Sequence, residues 1–198
     1  MRRSSAWRSY KPGRARASAL AAVLPPALRG RPVRILGLDP GSRATGFGVV
    51  DVGRDGPRYV ASGAIRASGA DFPKRLQEIY AGVAALVAEY SPAEIAIERV
   101  FVNRNPDSAL KLGQARGAAL SATFSCAASI HEYTPRAVKL GVVGTGAAEK
   151  VQVQRMVGVL LGLDGRLGSD AADALAVALC HAHGRATRLA LAAAGGAA

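Results

Sequence analysis

Three strand-like segments follow one another between Val33 and Arg66 with only turns between them, and this succession limits the fold more than any other feature of the chain. Val33–Leu38 is a short apolar run ending in Asp39-Pro40-Gly41-Ser42, a strand that delivers an aspartate into a turn. Gly46–Val52 and Arg58–Arg66 are the next two strands, separated by the hairpin loop Gly53-Arg54-Asp55-Gly56-Pro57. Short turns join antiparallel neighbours, so these three should form an antiparallel meander. Beyond it, Pro73 to about Glu89 carries Leu76, Ile79, Tyr80, Val83, Leu86 and Val87 at helical spacing, and Ser91-Pro92 ends the helix. Glu94–Val100 is strand-like, Asp107–Ser125 helical and dense in Ala, Gly and Leu, and Ile130–Tyr133 a short strand. Thr134-Pro135 reads as a helix cap with a first-turn proline, and Ala147–Leu161 and Ser169–Ala182 are further helices. The pattern is that of an α/β protein: a mixed sheet of about five strands, the first three antiparallel, with helices on both faces.

The length of 198 residues suits one domain with a tail, and 49% apolar residues suffice for a core. The net charge of +12 is misleading, because nine basic residues and no acid lie within residues 1–34. The remainder carries 17 bases against 14 acids and is only mildly basic. Residues 1–32, rich in Arg, Ser, Ala and Pro, read as a disordered basic leader or as a mis-assigned start, translation beginning near Val33. A basic arm for phosphate contacts is a further reading. A secretory signal is disfavoured, because the apolar stretch Ser18–Leu24 is short and runs into Pro25-Pro26. Residues 33–184 form the expected domain, and 185–198 a flexible C-terminal tail. No apolar run approaches the roughly 18 residues of a membrane span. Two cysteines, Cys126 and Cys180, make no disulfide framework and suit a reducing cytoplasm.

Four acids carry the chemistry. Asp39 ends the first strand, Glu98 lies near the end of Glu94–Val100, and Asp170 and Asp173 occupy the first turn of the last helix. Positions i and i+3 share a helix face, so that pair can act together. If the first and fourth strands are neighbours, Asp39 and Glu98 lie side by side and the helical pair closes the site from above. Such a group of hard oxygen donors is stabilised by divalent cations, and two Mg²⁺ roughly 3.5–4 Å apart can direct in-line attack of water on a phosphodiester. Each acid also has a plainer account: a turn residue for Asp39, and helix-dipole complements capped by Ser169 for Asp170 and Asp173. Glu98 is harder to dismiss, since it follows Ile95, Ala96 and Ile97 in a strand that should be buried.

Other features admit two readings. Phe101 precedes the polar loop Asn103-Arg104-Asn105-Pro106 and reads as a base-stacking platform or as a phenylalanine tucked into the core. Lys139 and Lys150 can neutralise phosphate or transition-state charge, or be solvated. Arg43, Arg104, Lys111 and Arg116 are candidates for a phosphate path, and each is equally explained as a solubilising charge. Gly113, Gly117, Ala109, Ala115 and Ala118 give one helix a small-sided surface, for tight packing on its own sheet or for a dimer seam. Cys180-His181-Ala182-His183 resembles metal-binding text, but with His131 the only other histidine, helix-end histidines favoured by the dipole are the better account.

The segments ILGLDPGSRATGFGVVD, AIERVFVNRNPDSALKLGQARG, RAVKLGVVGTGAAEKVQVQ and DAADALAVAL together resemble RuvC, the bacterial family of Holliday (crossover) junction endodeoxyribonucleases, from about Val33 to His183. The resemblance implies a ribonuclease-H-like sheet in the 33–184 domain and a homodimer that makes symmetric paired nicks in four-way DNA junctions. The cofactor it implies is Mg²⁺, two ions per active site with Mn²⁺ able to substitute, and the products 5′-phosphate and 3′-hydroxyl ends. It implies cooperation with the RuvA–RuvB branch-migration complex in recombination and repair, in the cytoplasm. By position, Asp39, Glu98, Asp170 and Asp173 match the catalytic, metal-holding acids, Phe101 matches an aromatic that engages bases near the crossover, and Lys139 and Lys150 match basic residues near the scissile phosphate. Arg99 departs from the pattern, standing beside Glu98 where an uncharged polar residue such as Gln is expected. Two other functions share single features. An actin-like ATP-binding protein also uses a strand followed by Asp-x-Gly, but needs two related subdomains. A non-catalytic junction scaffold would gain nothing from presenting four acids to phosphate.

Overall fold

The structure is a computed structural model that describes residues 32–99, 105–165 and 167–195. The elements run β1 (Val33–Asp39), β2 (Ala44–Gly53), β3 (Gly56–Arg66), α1 (Phe72–Tyr90), β4 (Glu94–Glu98), α2 (Pro106–Ser121), β5 (Ser129–Tyr133), α3 (Pro135–Val143), α4 (Lys150–Leu161) and α5 (Ser169–Gly195), with a 3-10 turn at Ala122–Ser125 after α2. One sheet in the order β3-β2-β1-β4-β5 holds all five strands. β3, β2 and β1 are antiparallel, as their short turns require, whereas β1, β4 and β5 are parallel and joined through helices.

Side chains alternate across the central strands. Leu36, Leu38, Ile95 and Ile97 face one layer, where they pack with Ile79, Val83 and Leu86 of α1 and Ala115 and Ala119 of α2. Ile35 and Ala96 face the other, against Val138 and Val142 of α3, Val153 and Val157 of α4, and Leu175 and Leu179 of α5. Helices therefore cover both faces. α5 lies directly on the sheet because the strands beneath it carry glycine. A Cβ on Gly37 would stand 2.2 Å from the Ala174 carbonyl oxygen, and one on Gly46 2.1 Å from that of Asp170. No side chain fits in either gap, so these glycines fix how closely the acid-bearing turn of α5 approaches β1 and β2.

Local capping explains where the other helices begin. Asp71 accepts from the Lys74 amide at 2.7 Å ahead of α1, Asn105 from those of Asp107 and Ser108 ahead of α2, and Thr134 from that of Ala137 at 3.1 Å ahead of α3. α4 starts at Lys150 rather than Ala147, because the Glu149 amide donates back to Gln152 Oε1 at 2.7 Å and sets the first turn there. The helix expected to Ser125 tightens into the 3-10 turn after Ser121, where the Thr123 hydroxyl donates to the Leu120 carbonyl at 2.7 Å.

α5 continues to Gly195, where a tail from 185 was expected. Residues 185–195 are Ala- and Leu-rich without proline, and Arg185 is anchored to Glu94 at 2.8 Å. The leader lies outside the described residues except for Pro32, as does Val100 of the expected fourth strand. Neither cysteine is in a disulfide. Among the described residues no helix is long and apolar enough to cross a membrane.

Candidate active site

β1 and β4 are parallel neighbours with Leu38 opposite Ile97, so the next residues, Asp39 and Glu98, end side by side at one sheet edge. Alternation turns both toward α5. There each carboxyl acts on the protonation of the other. Asp39 is pushed up to about 6, first by burial and then by the Asp173 charge, with Asp170 adding to it. Glu98 is pushed up to about 8 by burial and then by Asp39 and Asp173. The Lys150 ammonium opposes both shifts.

Asp170 lies in the first turn of α5, seated against Gly46, and Asp173 follows it at i+3 on the same helix face. Ser169 is the first residue of that helix, and its hydroxyl accepts from Gln154 Nε2 at 3.4 Å. Lys150 opens α4 and reaches across to Asp173, Nζ to Oδ2 2.5 Å, which holds the ammonium above its ordinary value. The four acids thus come from three separate stretches of chain into electrostatic reach of one another. Burial and mutual repulsion keep part of the group protonated, the state expected of a carboxylate cluster without its counter-ions. All the donors are hard oxygens, which fits Mg²⁺ and not a soft metal.

The remaining candidates fall in different places. Lys139 is half-buried on α3. Lys111 is tied to Asp107 one turn away at 2.6 Å. Arg116 donates to the Glu98 carbonyl oxygen at 3.2 Å and pairs with Glu132, so it braces the end of β4. Arg99, the departure noted above, turns from Glu98 to Glu132 at 3.1 Å and is bonded through its amide to the Tyr133 carbonyl. Arg43 is exposed in the turn after β1. Phe101 and Arg104 lie outside the described residues. On α2, Ala115 and Ala119 face the core, while Gly113 and Gly117 are exposed with open space where a Cβ would stand.

Sequence reasoning did not find Glu132, which gathers Arg99 and Arg116 below the end of β4. Its signal was weak, an acid on a short edge strand. Nor did it find the polar cluster around Glu94, although Glu94 stands four residues before Glu98 on the same strand.

The family model of the crossover junction endodeoxyribonuclease RuvC matches residues 35–181. The RuvC of Methylococcus capsulatus is 54% identical over 155 residues, 78% of this chain and 93% of the relative. That of Burkholderia pseudomallei is 56% identical over 152 residues, 77% of this chain and 84% of the relative. Among solved structures, the Thermus thermophilus RuvC in complex with Holliday junction substrate superposes with a TM-score of 0.73 at 34% identity, covering 79% of this chain and 96% of that one. The match spans the strands and the helix turn that carry all four acids, and the chain belongs to the crossover junction endodeoxyribonuclease RuvC family.

Proposed function

We propose that this nuclease resolves four-way DNA junctions by symmetric paired nicks, with Mg²⁺ held by Asp39, Glu98, Asp170 and Asp173. The observation that carries the reading is the upward displacement of Asp39 and Glu98 at a shared sheet edge, with two further acids and one lysine facing them. A relative that binds a Holliday junction supports the substrate. Bound there, Mg²⁺ would supply an activated water and stabilise the leaving oxygen. The protein's part is positional. Parallel pairing of β1 and β4 sets Asp39 beside Glu98, and the glycine-lined seat of α5 holds the helical pair over them. Lys150 supplies positive charge beside Asp173, where a phosphate approaching the acids would need it. Lys139 would add to it from α3.

Phe101 would engage bases at the crossover, and Arg104, Lys111 and Arg116 would line the approach of the backbone. The working unit would be the domain of residues 33–184. Two-fold pairing of the chain fits a junction with two equivalent strands, and the outward Gly113 and Gly117 of α2, near the exposed Leu110, offer a seam for close helix approach. The products would be 5′-phosphate and 3′-hydroxyl ends. The setting would be cytoplasmic recombination and repair alongside RuvA–RuvB, and Mn²⁺ would substitute for Mg²⁺. The test is cleavage of a synthetic four-way junction, with plain duplex as control. Paired nicks in the junction alone, present with Mg²⁺ and absent with chelator, are expected. Equal cutting of duplex, or cutting in chelator, would contradict the reading.

A further inference from the structure

Glu94 begins β4, about 13 Å along the strand from Glu98 and on the same face. α5 crosses the sheet between them, carrying Asp170 and Asp173 at one end and His181 about 16 Å further along. His181 is fully buried, with Nε2 2.6 Å from Glu94 Oε2 and Nδ1 2.7 Å from the Tyr133 hydroxyl. The His131 ring of β5 lies over it, centroids 4.4 Å apart. One oxygen of Glu94 and one nitrogen from each ring lie within 4.8 Å of one another.

We propose that Glu94, His131 and His181 form a binding site for one borderline divalent transition metal ion, zinc above all, separate from the oxygen-lined magnesium site. Two imidazoles and a carboxylate, with water as a fourth ligand, are a donor set that suits zinc and does not suit magnesium. The surrounding groups can hold the ligands as such a site requires. Arg185 donates to Glu94 Oε1 at 2.8 Å and leaves Oε2 turned toward His181. Ser129 Oγ, 3.0 Å from His131 Nε2, can take that nitrogen's proton and leave the Nδ1 lone pair for a metal. The Tyr133 hydroxyl does the same for His181. When a cation binds, the Nε2 lone pair faces it and Nδ1–H donates to the Tyr133 oxygen; a neutral ring keeps its single proton, moved to the nitrogen that does not coordinate, and a proton leaves only from a doubly protonated ring or a protonated carboxyl.

The rearrangement is small. Donors on a tetrahedral ion with bonds of about 2.0–2.1 Å stand about 3.3 Å apart. The Glu94–His181 pair therefore opens by roughly 0.7 Å, and the half-buried His131 ring swings inward. Arg188, whose Nη2 lies 3.4 Å from His181 Nδ1, is exposed and turns to solvent. The positive charge of Arg185 and Arg188 moderates the affinity. Neighbouring residues that look like ligands in the sequence do not take part: Cys180 Sγ donates to the Ala137 carbonyl at 3.4 Å, and His183 Nδ1 to that of Gly141 at 2.8 Å, both on α3. An ion at this site ties β4 and β5 to the distal half of the helix that carries the catalytic acids. None of its ligands belongs to the quartet, so the site stands whether or not the junction reading does.

The test is a Co²⁺ titration of the full chain in excess Mg²⁺, followed by visible absorption, with a Zn²⁺ titration followed by thermal unfolding. Expected are one equivalent of Co²⁺ with the intense absorption of tetrahedral coordination, a Tm that rises with Zn²⁺, and loss of both in His131→Ala, whose Zn²⁺ affinity falls at least about tenfold. Mg²⁺-dependent nuclease activity of His131→Ala stays at the wild-type level. Only the weak absorption of octahedral Co²⁺ in the wild-type chain would overturn the proposal, as would an intense band that survives unchanged in His131→Ala. The wild-type spectrum alone decides the matter if the variant is poorly folded.

Discussion

Glu98 and Glu94 are the same residue type on the same face of one strand, four positions apart, yet their surroundings drive them in opposite directions. Glu98 is raised to about 8 by burial and by acids facing it. At Glu94 burial also works upward, but hydrogen bonds from Arg185 and His181 outweigh it and hold the carboxyl below its ordinary value. The Arg185 pair is drawn tight, with both side chains 18% exposed. At the Glu98 end of β4, burial and the facing acids outweigh the opposing Lys150 ammonium. At the other end, protein groups supply the partners themselves. The difference separates a carboxylate whose ionised form its protein neighbours favour from one whose ionised form they oppose.

The largest effect should come from the Glu98 end of β4. Asp39→Asn removes one of the proposed ligands while keeping shape, and should lower junction cleavage by about 10³-fold or more with junction binding retained, measured by nicking and gel-shift assays side by side. Gly46→Ala attacks the seat of α5. Its Cβ would meet the Asp170 carbonyl at 2.1 Å, so the acid-bearing turn must move. Cleavage should fall by about 10²-fold and stability by about 1–3 kcal/mol, read from the same preparation by single-turnover rate and denaturant unfolding.

The two ends should also give opposite pH signatures. Asp39 and Glu98 have raised folded values, so the stability they contribute is complete below about pH 4 and is lost as pH rises through 6 and then 8. Glu94 has a lowered value, so its contribution is present above the ordinary glutamate range and lost as pH falls below it. In chelator, Tm should drop by about 5–10 °C between pH 5 and 8.5, and Mg²⁺ should recover most of that drop at the alkaline end. Glu98→Gln should flatten the alkaline loss, and a Tm that is independent of pH in chelator would blur the contrast drawn above. The smallest effect is expected from Glu94→Gln, which should cost about 1–2 kcal/mol in denaturant unfolding while Mg²⁺-dependent cleavage stays near wild type.

Much of this was legible in the sequence, for local reasons. Asp39-Pro40-Gly41 marks a strand end, and Ile95, Ala96 and Ile97 mark a buried strand whose terminal acid needs an explanation. The i, i+3 spacing puts Asp170 and Asp173 on one helix face whatever the helix packs against. The approach of that helix to the strands was not legible, because it depends on Gly37 and Gly46 meeting carbonyls more than a hundred residues away. Glu94 was read only as the start of a strand, since its partners His181 and Arg185 are 87 and 91 residues distant and carry no shared motif. The length of α5 was underread for a different reason. Gly184 and the histidines look like a terminus, whereas the Ala- and Leu-rich stretch that follows carries the helix through them. Arg99 looked like a cation beside Glu98 because sequence adjacency was the only guide, but neighbouring residues on a strand point to opposite faces.

The most direct test of the central claim is anomalous diffraction from crystals of the protein soaked in Mn²⁺. Manganese density bounded by Asp39, Glu98, Asp170 and Asp173, with Lys150 released from Asp173, is the predicted result. Manganese bound elsewhere, with Lys150 still paired to Asp173, would contradict it.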